Sequence, residues 1–176
     1  MSLVVLLGGA RSGKSRLALE LASGSDGQVV FLATAEALDV EMAERIGAHR
    51  AERPAGWVTV EEPLELRRAI ASVDGDATCV VDCLSLWVSN LLLRGDEATI
   101  VEEAARACAA LAASRAGRTI AVTNEVGLGI VPATPLGRAY RDLLGTVNRI
   151  WVDAADRAAF VVAGRPLPLE KTDAWR

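Results

Sequence analysis

The feature that most constrains this chain is a glycine-rich octapeptide close to its N-terminus. Residues 8–15 read Gly-Gly-Ala-Arg-Ser-Gly-Lys-Ser and fit G-x-x-x-x-G-K-[ST], the pattern of a phosphate-binding P-loop. An unbroken apolar run from Leu3 to Leu7 precedes the octapeptide, and a helix-like stretch from Ser15 to Leu21 follows it. The motif needs this context, because backbone N–H groups and a helix N-terminus together surround the phosphate. The sequence therefore predicts a nucleoside triphosphate site, the alternative being an ordinary glycine-rich turn.

Two side chains of the octapeptide and one carboxylate further along the chain have expected roles at the phosphates. Lys14 is expected to reach the β- and γ-phosphates, and Ser15 to hold Mg²⁺. The run from Thr78 to Asp82 is typical of an apolar strand that ends in a carboxylate, which is where P-loop proteins carry a second metal-binding residue. Asp82 is therefore expected at the same ion, unless it only caps the helix that follows.

The rest of the chain alternates between apolar strands and helical stretches. Strands are predicted near 28–35, 57–61, 78–82, 119–123 and 160–164, and helices near 39–53, 64–73, 84–93, 97–116 and 136–159. Since the strands are continuous apolar runs, the pattern predicts an α/β fold of the P-loop NTPase type, with a mostly parallel sheet covered by helices on both faces. A single domain, 1–176, is expected, with ligands beyond the carboxyl ends of the strands.

Composition and charge exclude several classes of protein. Hydrophobic residues make up 51% and charged residues 24% of the 176, which is typical of a globular chain with a sizeable core. The net charge of −4, with no basic stretch to offset it, argues against nucleic acid as the main partner. The sequence has neither a membrane-length apolar run nor a secretory signal. Cys79, Cys83 and Cys108 lack metal-type spacing and are expected to be reduced, which favours a cytoplasmic location.

The single histidine, His49, admits two interpretations. Met42, Ile46 and His49 follow helical spacing, so the histidine continues an apolar stripe and is on that basis a core-edge residue. Arginines nevertheless crowd it in the sequence, at positions 45, 50 and 53. On a helix that faces a cleft, these would gather phosphate oxygens around an imidazole, and a neutral imidazole can attack phosphorus. Spacing alone favours the core interpretation.

Further polar residues lie near the same expected site. Asn124 and Glu125 follow a predicted strand and reach the same sheet edge as Asp82, either as site groups or as a loop cap. Arg11 either contacts phosphate or points to solvent. The chain contains no Asn-Lys-x-Asp motif and no His-Arg-Asp loop, which argues against a switch GTPase and a protein kinase. A small-molecule kinase and a nucleotide-binding regulatory module both stay open at this point.

Five stretches, taken together, match a known family. They are the octapeptide, Glu41-Met42-x-x-Arg45-Ile46-x-x-His49, Arg53-Pro54-x-x-Trp57, residues 122–132 (Val-Thr-Asn-Glu-Val-Gly-x-Gly-Ile-Val-Pro) and Gly145-x-Val147-Asn148. In these stretches the chain resembles the bifunctional adenosylcobinamide kinase/adenosylcobinamide-phosphate guanylyltransferase family of cobalamin nucleotide-loop assembly. The resemblance spans nearly the whole chain. Its most specific parts are the run at 122–132 and the position of the single histidine, His49.

The resemblance implies two reactions. In the first, ATP or GTP phosphorylates the aminopropanol hydroxyl of adenosylcobinamide. In the second, the histidine attacks the α-phosphate of GTP, releases pyrophosphate and passes GMP to adenosylcobinamide phosphate, which gives adenosylcobinamide-GDP. His49 stands at the matching position, so the resemblance reverses the preference for a core histidine. The alternative is a P-loop kinase of another small molecule in which His49 is structural.

The resemblance also implies residue roles and an assembly. His49 and Lys14 are the implied catalytic residues, and Ser15 and Asp82 the implied ligands of Mg²⁺, with GTP and ATP as substrates. Many members have glutamate where this chain has Asp82, and the aspartate side chain is the shorter of the two. The family forms trimers. The implied nucleotide contacts are Gly8, Gly9, Ala10, Arg11, Ser12, Gly13, Lys14, Ser15, Ala33, Thr34, Ala35, Arg50, Ala51, Glu52, Arg53, Glu61 and Asp82.

Overall fold

Strands and helices alternate along the part of the chain that the structure describes, residues 3–25 and 27–171 of a computed structural model. The predicted domain limits, 1 and 176, lie outside these residues. The strands are β1 (Leu3–Gly8), β2 (Val29–Ala33), β3 (Val58–Glu61), β4 (Thr78–Asp82), β5 (Thr119–Asn124), β6 (Arg157–Val162) and β7 (Arg165–Leu169). The helices are α1 (Lys14–Ser23), α2 (Val40–Ala51), α3 (Leu66–Ser72), α4 (Leu84–Arg94), α5 (Ala98–Ser114) and α6 (Pro135–Ala154). None of the described helices has the length and hydropathy to cross a membrane.

The strands form one sheet in the order β3-β2-β4-β5-β1-β6-β7, and its pairs are parallel except β6–β7. The register pairs Gly8 with Asn124 and pairs Ala33 with both Asp82 and Glu61. Parallel strands run in one direction, so these residues meet at a single edge of the sheet. The predicted α/β fold with a mostly parallel sheet is therefore confirmed.

The core consists of two clusters, one on each face of the sheet. Alternate residues of a strand point to opposite faces, and accordingly Val5 belongs to one cluster and Leu6 to the other. The larger cluster includes residues of α3 to α6 and is filled by Trp87 and Trp151, both fully buried. The smaller cluster packs α1 against residues such as Phe31. In contrast, α2 buries none of its residues, so it lies outside both clusters.

The prediction for the end of the longest helix is wrong. The expected helix over 136–159 ends at Ala154, and β6 runs over Arg157–Val162 where a strand was expected at 160–164. Alanines favour helix in this stretch, but pairing with β1 overrides that preference. Asp156 holds the strand start in place, because its backbone N–H donates to Leu3 O at 3.0 Å and its Oδ2 accepts from Leu3 N at 3.1 Å.

Strand β7 is an element that the sequence did not reveal. Its five residues include Pro166 and Pro168, which lack a backbone donor and argue against a strand inside a sheet. The strand instead lies at the edge of the sheet and pairs only with β6, where Val161 is opposite Pro166 and Ala159 opposite Pro168. A proline is tolerated at an edge because no neighbour needs its N–H.

Candidate active site

The octapeptide 8–15 is a tight loop between β1 and α1. Gly13 and Arg11 have φ of +97° and +56°, the left-handed region that favours glycine. Gly8 is required for space, since a Cβ there would lie 2.6 Å from both Ser12 Oγ and Val161 O. The Lys14 ammonium folds over the loop and donates to Gly9 O at 2.9 Å. The backbone therefore has the shape that a phosphate cradle needs, with a lysine across it.

The turn between β6 and β7 supports this loop from one side. Gly164 N donates to Ser12 O at 2.7 Å. A Cβ on Gly13 would lie only 3.0 Å from Gly164 Cα. The hairpin that the sequence failed to reveal is thus part of what fixes the phosphate loop in position.

A cleft of about 170 Å³ opens beside the loop at the carboxyl edge of the sheet. The start of α1, the ends of β2, β4 and β5, and one side of α2 form its walls. The lining residues are Lys14, Ser15, Ala33, Ala35, Met42, Arg45, Ile46, His49, Arg53, Asp82, Cys83, Leu86 and Asn124. The fold brings the catalytic and metal-binding residues implied by the resemblance into this one cleft.

His49 lies on α2 and faces the cleft. Its side chain is 44% exposed, and its Nδ1 is 3.6 Å from Glu52 Oε2, which is longer than a hydrogen bond. The core-edge interpretation of His49 is therefore wrong. The apolar stripe that it continues, Met42 and Ile46, is real, but it faces the cleft and not the core.

Asp82 lies on the opposite wall, with Ser15. Burial raises the pKa of the Asp82 carboxyl; a hydrogen bond from the Ser15 hydroxyl and the positive charges of Lys14 and Arg53 oppose the shift. The alternative role as a helix cap does not apply, because Cys83 holds the N-cap position of α4. Burial also lowers the pKa of Lys14, against the attraction of Cys83 and Asp82.

Arg53 brings a partly buried positive charge to the cleft. Its guanidinium lies 3.8 Å over the ring of Phe31, and Nη1 donates to Thr59 Oγ1 at 3.2 Å. Its Nε is buried without a hydrogen-bond partner among the described residues. Burial lowers its pKa, while Asp82 acts in the opposite direction. The neighbouring Arg50 does not line the cleft and pairs with Glu61 at 3.4 Å.

Several implied nucleotide contacts lie apart from the cleft lining. Thr34 is fully buried, and its hydroxyl donates to Cys83 O at 2.7 Å and accepts from Cys83 N at 2.9 Å. The side chain therefore joins the ends of β2 and β4, beside the cis peptide bond between Asp82 and Cys83. Ala10, Arg11, Ala51 and Glu52 are exposed, at the tip of the loop and at the end of α2.

The structure separates the roles of two residues that the sequence left undecided. Asn124 lines the cleft, and its Nδ2 donates to Ser85 Oγ at 3.1 Å. Glu125 instead closes the following loop, since its Oε1 accepts from Gly127 N at 2.6 Å. Asn124 therefore lines the candidate site, whereas Glu125 caps the loop.

A buried polar network beneath Asn124 escaped the sequence reading. Asn148 Nδ2 donates to Asn124 O at 3.0 Å, and Asn148 Oδ1 accepts from the Thr123 hydroxyl at 2.7 Å. The Tyr140 hydroxyl donates to Ser85 O at 3.1 Å. The available signal was Asn148 itself, a polar residue among the apolar positions of α6, because a buried amide needs partners.

Comparison with known proteins agrees with this geometry. The family model described as cobinamide kinase / cobinamide phosphate guanyltransferase matches residues 4–169. The chain is 46% identical to the bifunctional adenosylcobalamin biosynthesis protein CobP of Pseudomonas aeruginosa, over 94% of this chain and 96% of that protein. It is 39% and 37% identical to the proteins named CobU from Escherichia coli and Salmonella typhimurium, over 92% of this chain and 96% of each relative. The chain belongs to the cobinamide kinase/cobinamide phosphate guanylyltransferase family.

Proposed function

We propose that this member of the family phosphorylates adenosylcobinamide with ATP or GTP, and then transfers GMP from GTP to adenosylcobinamide phosphate through a guanylyl group on His49. The observation that carries the proposal is that His49 shares one cleft with Lys14, Ser15 and Asp82. Displacement at an α-phosphorus needs a nucleophile next to a triphosphate that is held by its outer phosphates. A P-loop kinase without the second activity would not need a nucleophile there.

In the kinase reaction, the chain acts by position and charge. The loop N–H groups and Lys14 hold the β- and γ-phosphates, and the acceptor hydroxyl approaches through the cleft. The hydroxyl oxygen forms a bond to the γ-phosphorus, and the bond from that phosphorus to its bridging oxygen breaks. The nucleoside diphosphate leaves, and the hydroxyl proton passes to water.

The residues at the start of α1 and the end of β4 fit Mg²⁺. The Ser15 hydroxyl and the Asp82 carboxyl are in hydrogen-bond contact, and both are hard oxygen ligands. Residues 3–25 and 27–171 hold no cluster of three or more His, Cys, Asp or Glu side chains that would form a metal cage. Mg²⁺ commonly takes only one or two protein ligands and completes its shell with water and phosphate. When bound, the ion neutralises phosphate charge.

In the guanylyl transfer, His49 is the nucleophile and Glu52 a positioning residue. The Glu52 carboxylate lies near His49 Nδ1 and favours the tautomer in which Nδ1 carries the proton. The Nε2 lone pair is then free. A bond forms from nitrogen to the α-phosphorus, the bond between the α-phosphorus and the bridging oxygen breaks, and pyrophosphate leaves. A phosphate oxygen of adenosylcobinamide phosphate then attacks the α-phosphorus, and the P–N bond breaks.

The test uses GTP labelled on either the α- or the γ-phosphate. The wild type is expected to acquire an acid-labile, base-stable α-label, which His49→Ala loses. Absence of a covalent α-label would contradict the guanylyl step, whereas γ-transfer alone would indicate a plain kinase with a structural His49. Since lysine also forms acid-labile phosphoramidates, the labelled peptide is identified by mass spectrometry. Lys14→Ala is expected to impair both reactions.

The remaining expectations belong to the same proposal. They are nucleotide contacts at Gly8 to Ser15, 33–35, 50–53, Glu61 and Asp82, a trimeric assembly and a cytoplasmic location. The trimer is checked by light scattering, and each contact by the affinity of its alanine variant for GTP.

A further inference from the structure

A second cavity, of about 460 Å³, lies on the other side of the start of α1 from the cleft. We call it the outer cavity; one wall is Arg16, Leu17 and Glu20 of α1, and the other is the β6–β7 turn with Gly164 and Arg165. The two cavities share no lining residue and meet at the phosphate loop. Gly13 faces the outer cavity, and the next two residues, Lys14 and Ser15, face the cleft.

The two proposed reactions place opposite demands on a triphosphate held between these cavities. In the kinase reaction the γ-phosphate must face the acceptor in the cleft, so the nucleoside must point away from the cleft. In the guanylyl transfer the α-phosphate must lie beside His49, so the nucleoside lies on the cleft side. The γ-phosphate and the nucleoside are at opposite ends of the molecule, and therefore one orientation cannot serve both reactions.

We propose that the outer cavity binds the nucleoside half of the phosphoryl donor in the kinase reaction, whereas guanosine occupies the cleft side in the guanylyl transfer. This inference rests on the proposed function and adds to it a second nucleoside site on the same phosphate loop. The cavity is prearranged for that use. The hydrogen bond from Gly164 N to Ser12 O, at 2.7 Å, fixes the β6–β7 wall against the phosphate loop.

The side chains of the outer cavity suit a nucleoside. The Arg165 guanidinium is exposed and has no ion pair or hydrogen bond to any described residue, so it is free to stack on a purine. Leu17 supplies an apolar surface, and Glu20, which pairs with Arg16 at 2.9 Å, offers a carboxylate to ribose hydroxyls. Stacking does not distinguish one purine from another. The outer cavity is therefore expected to take both adenosine and guanosine.

The first experiment reverses one charge in the outer cavity. Arg165→Glu is expected to raise the KM for ATP in adenosylcobinamide phosphorylation by about tenfold, since it replaces a stacking cation by an anion. The rate at which His49 acquires α-label from GTP should change by less than about twofold. Arg149→Glu on the exposed side of α6, which pairs with Asp153 at 3.4 Å, is the matched charge reversal and should change neither reaction. Equal effects of Arg165→Glu on both reactions, or no effect on the KM for ATP, would overturn the proposal.

A second experiment locates the nucleoside directly on the wild-type protein, so it does not depend on whether the Arg165→Glu variant folds. Wild-type protein is photolabelled with 2-azido-ATP and digested, and the modified peptides are sequenced. Crosslinks within 13–20 or 157–169 support the outer cavity, whereas crosslinks confined to 40–61 overturn it. The crosslinking map needs no turnover, so it tests the outer cavity independently of the guanylyl step. A wild type that gains no α-label would contradict the guanylyl step, whereas the crosslinked peptides would still show where the nucleoside binds.

Discussion

Two helices of similar length face the same cleft but differ in how they are attached to the protein. Helix α4, with 11 residues, buries six of them, including Trp87. Helix α2, with 12 residues, buries none, although it carries His49. The cleft therefore has one wall, α4, that is continuous with the core, and one wall, α2, that contributes no buried residue to the core. Substitutions in α4 should cost stability, whereas substitutions in α2 should cost catalysis.

The largest expected effect of this difference is on the nucleophile. His49→Ala should lower guanylyl transfer by roughly 10³-fold or more, since a covalent route loses its attacking group. The free energy of unfolding should change by less than about 0.5 kcal/mol, because the side chain is half exposed and outside the core. Labelling with α-labelled GTP and urea denaturation measure the two quantities. A large loss of stability would mean that α2 is better anchored than its exposure indicates.

The converse case is Trp87 on α4. It is 1% exposed, and its Nε1 donates to Leu64 O at 2.8 Å. Trp87→Ala should cost about 3–5 kcal/mol of unfolding free energy, since it leaves a cavity and an unpaired carbonyl. Ile46→Ala, on α2, is the control and should cost less than about 1 kcal/mol. Urea denaturation of both variants checks the contrast, and comparable losses would remove it.

The same comparison explains how far the sequence could predict the site. The P-loop, Asp82 and Asn124 were placed correctly at one edge of the sheet, because parallel strands end there and apolar runs mark the strands. His49 was different: helical periodicity identifies the apolar face of α2 but not what that face meets. The spacing of Met42 and Ile46 is the same for a helix on a core as for one on a cleft.

Where the sequence failed, tertiary contacts had overridden local preference. The alanines around Ala154 favour helix, yet pairing with β1 ends α6 and begins β6. Pro166 and Pro168 argue against a strand unless it is known to lie at an edge, which is a property of the whole sheet. Thr34 lies at the predicted strand end, where its hydroxyl donates to Cys83 O, and its contact with nucleotide stays a prediction.

Asp82 lies in the wall of the cleft that is continuous with the core, and its substitution should affect activity and stability in opposite directions. Burial raises the pKa of its carboxyl, so the folded protein holds this proton more tightly than the unfolded chain does. Stability therefore falls as pH rises from the ordinary aspartate value, about 3.9, through the raised one, and stays lower above it. Without nucleotide or Mg²⁺, Asp82→Asn should be more stable than the wild type at neutral pH, and this advantage should vanish near pH 4, while kinase activity is lost.

Thermal unfolding across pH measures the effect of Asp82→Asn. The exposed Asp153, replaced in the same way, is the control and should show no such dependence on pH. If Asp82→Asn proved less stable at neutral pH, the attraction of Asp82 to Lys14 and Arg53 would outweigh the cost of its burial, and the carboxylate would stabilise the fold.

The smallest effect should come from substitutions at the helix N-caps. The caps of α2 and α6 form a matched pair, because α2 lies outside the core and α6 is part of it. Asp39 caps α2 by accepting from Met42 N at 2.7 Å, and Thr134 caps α6 by accepting from Gly137 N at 3.1 Å. Replacing either by alanine should weaken its helix by about 1 kcal/mol. For Thr134→Ala the loss should appear in global unfolding, because α6 is part of the core.

For Asp39→Ala the same loss should stay local to α2. Hydrogen exchange should quicken over residues 40–51, and guanylyl transfer should fall severalfold, because the fraction of molecules with His49 in position decreases. Denaturation by urea should be nearly unchanged. If instead both variants lost equal global stability, α2 would unfold together with the core, and the loosely attached wall would have to be explained as an exposed but cooperative part of the fold.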